Sequence, residues 1–175
     1  MATSAADLKH LILNGTVTTN NLSSNVIHSL VASEDKTLKF TSSTIAMSEA
    51  VCAEKIMVLD RAAGMTITLP ASSGKGAKYI FVVKTTVTSN NIIIKADNTS
   101  DSFVGRANAS SDNATTTNNC WNITSGDDTI TLNGSTKGGY AGDHIEIVDL
   151  GGNLFFVQAH LKQTATEATP FSATV

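Results

Sequence analysis

Residues 65–70 read Met-Thr-Ile-Thr-Leu-Pro, and residues 128–134 read Asp-Thr-Ile-Thr-Leu-Asn-Gly. In both stretches, apolar side chains alternate with threonine. Because successive side chains of a β-strand point to opposite faces, this alternation predicts strands with one buried face and one face toward water. Proline and Asn-Gly pairs are typical of the turns that end such strands. The two stretches therefore predict a β-rich fold.

The same grammar of short strands and turns runs through most of the chain. Turn-forming pairs recur at Asn133-Gly134, Gly138-Gly139 and Gly151-Gly152-Asn153, and such residues supply the positive φ that tight hairpins need. Many short strands at close intervals predict an all-β fold, either an antiparallel β-sandwich or a jelly-roll-like barrel. The predicted strands are 26–31, 37–40, 55–59, 65–69, 78–87, 91–96, 101–107, 121–124, 129–132, 144–150 and 154–161.

Two of these strands, 78–87 and 91–96, are apolar on both faces and are predicted to be central. Residues 108–119 are polar and are predicted to form a long exposed loop.

The chain divides by pattern into three parts. Residues 1–50 form an N-terminal arm or segment with short strands or a short helix, residues 51–162 form the β-sandwich, and residues 163–175 form a C-terminal tail. A helix over 5–13 fits the spacing of the apolar residues in the arm, and an extended arm over 11–17 is the alternative. The tail is either an ordered peptide that docks on a neighbour or a frayed end.

Composition argues against several classes of partner. The net charge is −3 and the pI is about 5.7, so the chain lacks the basic surface expected of a nucleic-acid binder. Six Phe, two Tyr and one Trp leave few aromatic platforms for stacked bases. The first ten residues lack the basic and apolar regions of a signal peptide, and the apolar runs are too short to span a membrane. We expect a protein made in a cytoplasm that binds neither nucleic acid nor membrane.

Reactive residues do not form a recognised catalytic set. Residues 72–76, Ser-Ser-Gly-Lys-Gly, resemble a phosphate loop superficially but lack the first glycine and the final Ser or Thr of a Walker motif, so they are interpreted as a turn. There is no G-x-S-x-G nucleophile motif. No two histidines have the spacing of a metal-binding helix, and His144 and Glu146 are predicted to share a surface-facing side of one strand. The histidines are His10, His28, His144 and His160. We expect a protein that is not an enzyme and has no cofactor and no metal site.

Oxygen-bearing side chains and thiols offer two further kinds of candidate site. A calcium site built from Asp97, Asn98 and Asp101 is conceivable, but the spacing lacks a calcium-loop signature. Acidic residues near turns, such as Asp143 and Asp149, suit local hydrogen bonding. The two cysteines, Cys52 and Cys120, are expected to be isolated, reduced and buried, although the sequence leaves a disulfide open.

Several segments are similar to a known family. They are 66–74 (Thr-Ile-Thr-Leu-Pro-Ala-Ser-Ser-Gly), 79–83 (Tyr-Ile-Phe-Val-Val), 128–134 (Asp-Thr-Ile-Thr-Leu-Asn-Gly), 138–147 (Gly-Gly-Tyr-Ala-Gly-Asp-His-Ile-Glu-Ile) and 168–172 (Ala-Thr-Pro-Phe-Ser). They resemble the small β-rich head decoration (cement) proteins of tailed bacteriophages and related virion structural proteins. The likeness covers about the last two-thirds of the chain and rests on strand-and-turn motifs.

The resemblance implies a virion structural protein on the outer surface of the phage head. Its partners would be the major capsid protein and itself, as a homotrimer that braces the capsomers. Such a protein acts by non-covalent binding, and linking three weak contacts in a trimer gains about 10²–10⁴ in avidity. We further expect Leu8, Leu11, Ile12 and Leu13 to contact the shell or a neighbouring subunit. The alternative is that the N-terminal segment closes the same β-domain.

A second function is also compatible with these motifs. Similar strands occur in tail-fibre and spike domains that bind a host surface receptor or glycan. Exposed aromatic residues usually line glycan sites, and Trp121 beside the polar 108–119 segment is the candidate. A core tryptophan at the start of a strand is the competing interpretation of Trp121.

Overall fold

The computed structural model describes residues 36–112 and 118–175, and residues Lys36–Val175 belong to one compact unit. The described residues are nearly all β, with a single short helix, α1 (Glu49–Cys52). The strands are β1 (Thr37–Phe40), β2 (Thr44–Ala46), β3 (Lys55–Leu59), β4 (Met65–Thr68), β5 (Lys78–Val83), β6 (Ile92–Lys95), β7 (Ser102–Ser111), β8 (Asn119–Asn122), β9 (Thr129–Leu132), β10 (His144–Gly151), β11 (Leu154–Gln163) and β12 (Phe171–Ser172).

The strands form two sheets. The seven-stranded sheet has the order β1-β3-β5-β10-β11-β7-β8, and the five-stranded sheet has the order β12-β9-β6-β4-β2. This is an all-β, sandwich-like fold, as the sequence predicted. The strands 78–87 and 91–96 correspond to β5 and β6, and each has a neighbour on both sides, so their predicted central position is confirmed.

The sheets are mixed, which differs from the predicted antiparallel arrangement. From β1 to β6 the chain places one strand in the seven-stranded sheet and the next in the five-stranded sheet, in strict alternation. As a result β1, β3 and β5 pair in parallel, and so do β2, β4 and β6. Parallel pairing follows because the chain crosses to the other sheet after each strand and does not fold back as a hairpin. The first six strands are therefore three turns of a flat coil.

The later strands β9 and β10 run antiparallel to the strands of this coil with which they pair. Strand β9 pairs antiparallel with β6, and β10 pairs antiparallel with both β5 and β11. The turn Gly151-Gly152-Asn153 has positive φ at all three residues and joins β10 to β11 as a hairpin. The Asn133-Gly134 turn, by contrast, leads from one sheet to the other.

The core lies between the inward faces of the sheets. Alternation is visible along β4, where Met65 and Ile67 are buried while Thr66 and Thr68 are half-buried on the outer side. Tyr79, Phe81 and Phe155 are among the largest fully buried side chains. Burial raises the pKa of Tyr79 well above that of an exposed phenol. The period-2 pattern that predicted the strands therefore also identifies the core.

Some predicted boundaries need correction. Strand β7 continues to Ser111 and β8 begins at Asn119. Residues 108–111 and residue 119 of the predicted loop over 108–119 therefore lie in strands. The reason is that Ala107 and Ala109 face the core while β7 pairs with β11 along its full length. Residues 26–31, the helix 5–13 and the arm 11–17 lie outside the described residues.

All three predicted parts of the chain, 1–50, 51–162 and 163–175, contribute strands to the two sheets. Strands β1 and β2 precede residue 51, and β12 follows residue 162, yet all three belong to the two sheets. In the tail, β12 pairs with β9, and the backbone N–H of Thr174 donates to Asp128 Oδ1 at 2.9 Å. The described tail is thus an ordered peptide that docks on its own sheet.

Candidate binding surface

The outward side chains of the seven-stranded sheet, called here the seven-stranded face, form in-register rows. One row crosses four strands and consists of Lys78, Val148, Phe156 and Val104. Phe156 is 36% exposed and Val104 is 42% exposed. Phe156 pairs directly with Val148 and Val104 on the neighbouring strands, so a phenyl ring and two valines lie side by side at the surface. Exposure of this apolar area to water is unfavourable.

A second apolar block lies on the same face. Ile56 is opposite Ile80, and Val58 is opposite Val82, on the paired strands β3 and β5. All four are half-buried although they point away from the core. Ile80 and Val82 are the outward residues of β5, one of the two strands that the sequence showed to be apolar on both faces. Because each sheet of a two-layer sandwich has only one core-facing side, apolar residues on both faces of β5 leave an apolar outer surface on this sheet.

Polar groups lie between and beside the two apolar blocks. Lys78 Nζ is 3.3 Å from Glu146 Oε1, which makes a partly exposed ion pair. Such pairs contribute little to stability, about 0–1 kcal/mol. The rings of His144 and His160 lie side by side with centroids 6.4 Å apart. His144 and Glu146 therefore share the surface side of β10, as predicted, while Ile145 and Ile147 are fully buried.

The outward side of the five-stranded sheet, called here the threonine face, is different. One row contains Thr44, Thr66, Ile93 and Thr131 in register. The neighbouring row begins with Ala46, Thr68 and Lys95. Threonine hydroxyls can bond to water, so this face is suited to remain solvated.

An open groove of about 680 Å³ lies beside β7, β8 and β11. It is lined by amide, imidazole and amino groups, among them Asn108, Asn119, His160 and Lys162. Lys162 Nζ also lies 5.0 Å from the centroid of the Tyr140 ring. The volume is in the range of small-ligand sites, and the lining is suited to polar ligands.

Buried aspartates hold the turns near this surface. Asp149 Oδ1 accepts from Ser72 Oγ at 2.7 Å and from Gly151 N at 2.9 Å. Its Oδ2 accepts from Ser73 N at 2.8 Å and from Gly74 N at 2.9 Å. The loop that resembles a phosphate loop thus binds an anion, but this anion is the protein's own carboxylate. The interpretation of residues 72–76 as a structural turn agrees with these contacts.

These contacts decide the ionisation of Asp149. Burial alone would raise the pKa of Asp149, but hydrogen bonds from Ser72, Gly151 and Ser73 outweigh that effect and lower the pKa to about 2. Hydrogen bonds to the charged form favour it, so the cradle and the charge stabilise each other.

Asp143, just before β10, shows the opposite balance. It accepts from the backbone N–H groups of Gly139 at 2.6 Å, Lys162 at 2.8 Å and Tyr140 at 3.1 Å. Burial nevertheless raises the pKa of Asp143, because these three donors only partly replace lost water. Asp127 likewise accepts from the backbone and hydroxyl of Thr124. The prediction that acidic residues support turns by local hydrogen bonding is confirmed for these aspartates.

The candidate calcium ligands Asp97, Asn98 and Asp101 lie in a turn. Asn98 Oδ1 accepts from the backbone N–H of Ser100 and Asp101, and Asn98 Nδ2 donates to Asp101 Oδ2 at 2.9 Å. Asp97 is exposed. Among the buried side-chain nitrogen and oxygen atoms of the described residues, Asp101 Oδ1 alone has no hydrogen-bond partner. Within residues 36–112 and 118–175, no group of three or more His, Cys, Asp or Glu residues is placed to hold a metal ion.

Trp121 is partly buried and packs against the core from β8. Its Nε1 donates to Gln163 Oε1 at 2.9 Å, and Gln163 Nε2 in turn donates to the carbonyl of Ala168 at 2.9 Å. The indole therefore links β8 to the C-terminal segment, which favours its interpretation as a structural residue.

Both cysteines are free thiols. Cys52 is buried, as predicted, but Cys120 is exposed, which corrects the expectation that both are buried. Cys120 lies on the edge strand β8 opposite Asn108, on the outward side of the sheet. The predicted contact residues Leu8, Leu11, Ile12 and Leu13 lie outside the described residues, so their role stays a prediction.

Comparison of the chain with protein-family models, curated proteins and solved structures finds no match. In the part of the chain that the structure describes, no helix is long and apolar enough to cross a membrane.

Proposed function

We propose that this protein is a virion structural protein that binds the outer surface of a phage capsid and reinforces the shell. It is made in the host cytoplasm, associates as a homotrimer, and acts by binding the major capsid protein without a chemical step. The single observation that carries the proposal is the seven-stranded face, with its exposed row Val148, Phe156 and Val104 and its half-buried isoleucine and valine block. The likeness of the strand-and-turn motifs to cement proteins supports the same function.

The physical argument is that a sheet, whose strands are held by ladder hydrogen bonds, presents many side chains to a partner at once. Removing apolar surface from water contributes about 25 cal/mol per Å², while the sheet loses little conformational freedom on docking. Three such faces in one trimer bind together and gain avidity. A protein that binds only the assembled lattice stabilises that lattice by mass action.

The test is to mix the purified full-length protein with undecorated heads, pellet the heads and count bound copies. We expect saturable binding at a fixed lattice stoichiometry and heads that resist heat better. Phe156→Glu should weaken binding about tenfold or more, as for a residue in a binding hot spot. Light scattering on the free protein checks the trimer.

Ile93→Glu is the matched control, since Ile93 is a large apolar residue in the central row of the threonine face. It should bind heads like the wild type, provided that circular dichroism shows both variants folded. Wild-type binding by Phe156→Glu, or equal losses in the two variants, would remove the seven-stranded face from the proposal. No binding of the wild type to heads would refute the capsid function itself.

The alternative is a tail-fibre or spike domain that binds a host receptor or glycan. The polar groove beside β7, β8 and β11 favours it, because amide and amino groups suit sugar hydroxyls. The hydrogen-bonded Trp121 does not favour it. Binding to host cells or their polysaccharide, without binding to heads, would make this alternative the better one, and Lys162→Ala should then weaken binding.

A further inference from the structure

The β10–β11 hairpin brings together two histidines that are distant in sequence. His144 and His160 are direct partners across the ladder, and their rings lie on the seven-stranded face with planes inclined at 32°. His144 is half-buried and His160 is exposed. Directly opposite residues of paired strands have Cβ atoms about 4.5–5.5 Å apart, which is a separation that lets two imidazoles reach one ion.

We propose that His144 and His160 form a chelating pair for a divalent transition-metal ion of the Zn²⁺, Ni²⁺ and Cu²⁺ class, for which imidazole is the preferred neutral ligand. The assignment does not depend on the proposed capsid function. It concerns two histidines whose spacing does not match a metal-binding helix, because they meet across a β-hairpin.

The geometry requires only a small adjustment. With Zn–N bonds of about 2.0–2.1 Å and tetrahedral angles, two ligating imidazoles have ring centroids about 5 Å apart. The observed centroid separation is 6.4 Å. Rotation about the side-chain bonds can close this difference, because one ring is exposed and the other is half-buried.

The surroundings suit a cation. Glu146 follows His144 two residues later and places a carboxylate, which is paired with Lys78, on the same side of β10. Gln158 Nε2 lies 3.4 Å from His160 Nε2, and a turn of that amide would present its oxygen to accept the N–H that Nε2 carries when Nδ1 binds the ion. Two protein ligands leave open coordination positions, which water or a group from another molecule would fill.

The experiment uses the full chain without an affinity tag, freed of metal with EDTA and then desalted. Zn²⁺ is titrated by calorimetry. We expect saturable binding of one ion per chain, and a loss of affinity of about 10²-fold in His144→Gln and in His160→Gln, since two linked ligands gain at least that much over one. His28→Gln is the matched control and should bind like the wild type.

A second measurement on the wild type does not depend on the variants folding. Zn²⁺ should shift the imidazole proton signals of two of the four histidines in the NMR spectrum, and a small excess of EDTA should reverse the shift. Thermal unfolding in EDTA should give the same midpoint for all three variants and the wild type. Absence of saturable binding, retained affinity in either pair variant, or an equal loss in His28→Gln would overturn the proposal.

Discussion

The threonine face and the seven-stranded face are built on the same alternation, yet they carry different side chains. Thr44, Thr66 and Thr131 line the first, whereas Phe156, Val104 and two histidines lie on the second. The inward residues of both sheets are mostly apolar because they share one core. The comparison teaches that the shared core determines only the inward side chains of each strand. The outward side chains are free to differ between the two sheets.

The largest effect on stability is expected when an inward residue is truncated, and an outward residue of the same strand provides the comparison. Phe81 is fully buried and Val82, the next residue of β5, points outward. Phe81→Ala should lower the free energy of unfolding by about 3–5 kcal/mol through lost burial and a cavity. Val82→Ala should cost under about 1.5 kcal/mol, and urea denaturation measures both. Equal costs would show that the seven-stranded face is as enclosed as the core.

A smaller effect is expected at the end of β10, where the inward side holds a charge. Asp149→Asn replaces one acceptor oxygen with a donor that faces N–H groups. A pKa lowered from 3.8 to about 2 corresponds to about 2 kcal/mol of stability near neutral pH. Because the folded pKa is depressed, that stability is fully present above the unfolded value near 3.8. It is lost as the pH falls toward 2.

Denaturation of the wild type and of Asp149→Asn between pH 7 and pH 2 measures this contribution. The two unfolding free energies should converge as the pH falls. Asp97→Asn, at an exposed position, removes the same formal charge and should leave stability nearly unchanged. A constant difference between wild type and Asp149→Asn across that range would contradict the assignment.

The smallest effect should come from the threonine face itself. Thr66→Val keeps the shape of the side chain and the strand preference but removes a hydroxyl on the outer surface. Stability should change by no more than about 0.5 kcal/mol, and head binding should not change. A marked gain in self-association, seen by light scattering, would show that threonine there keeps this face from pairing with other molecules.

Local pattern predicted most of the strands because alternation is a property of neighbouring residues. The bounds 37–40, 55–59 and 129–132 coincide with β1, β3 and β9. Very short strands such as β2 and β12 were missed because two or three residues carry too little alternation to recognise. The end of β7 was missed because its Ala, Asn and Ser residues have low strand preference, and its long partner β11 overrides that preference.

Pairing between distant strands was the harder part. The parallel ladders of β1 to β6 depend on which sheet each strand enters, and no local signal encodes that choice. The histidine pair was more accessible, because a hairpin turn centred on Gly152 places residues 144 and 160 opposite each other. The apolar outer face was visible in β5 but was interpreted as a sign of central position alone.

The alternating course of β1 to β6 also has a consequence for how such a chain can change in length. Each turn of the coil adds one strand to each sheet and repeats the same parallel pairing. Duplication or deletion of one turn would therefore widen or narrow both sheets together while the antiparallel closing strands keep their partners. The width of the domain is therefore adjustable in steps of one turn of the coil.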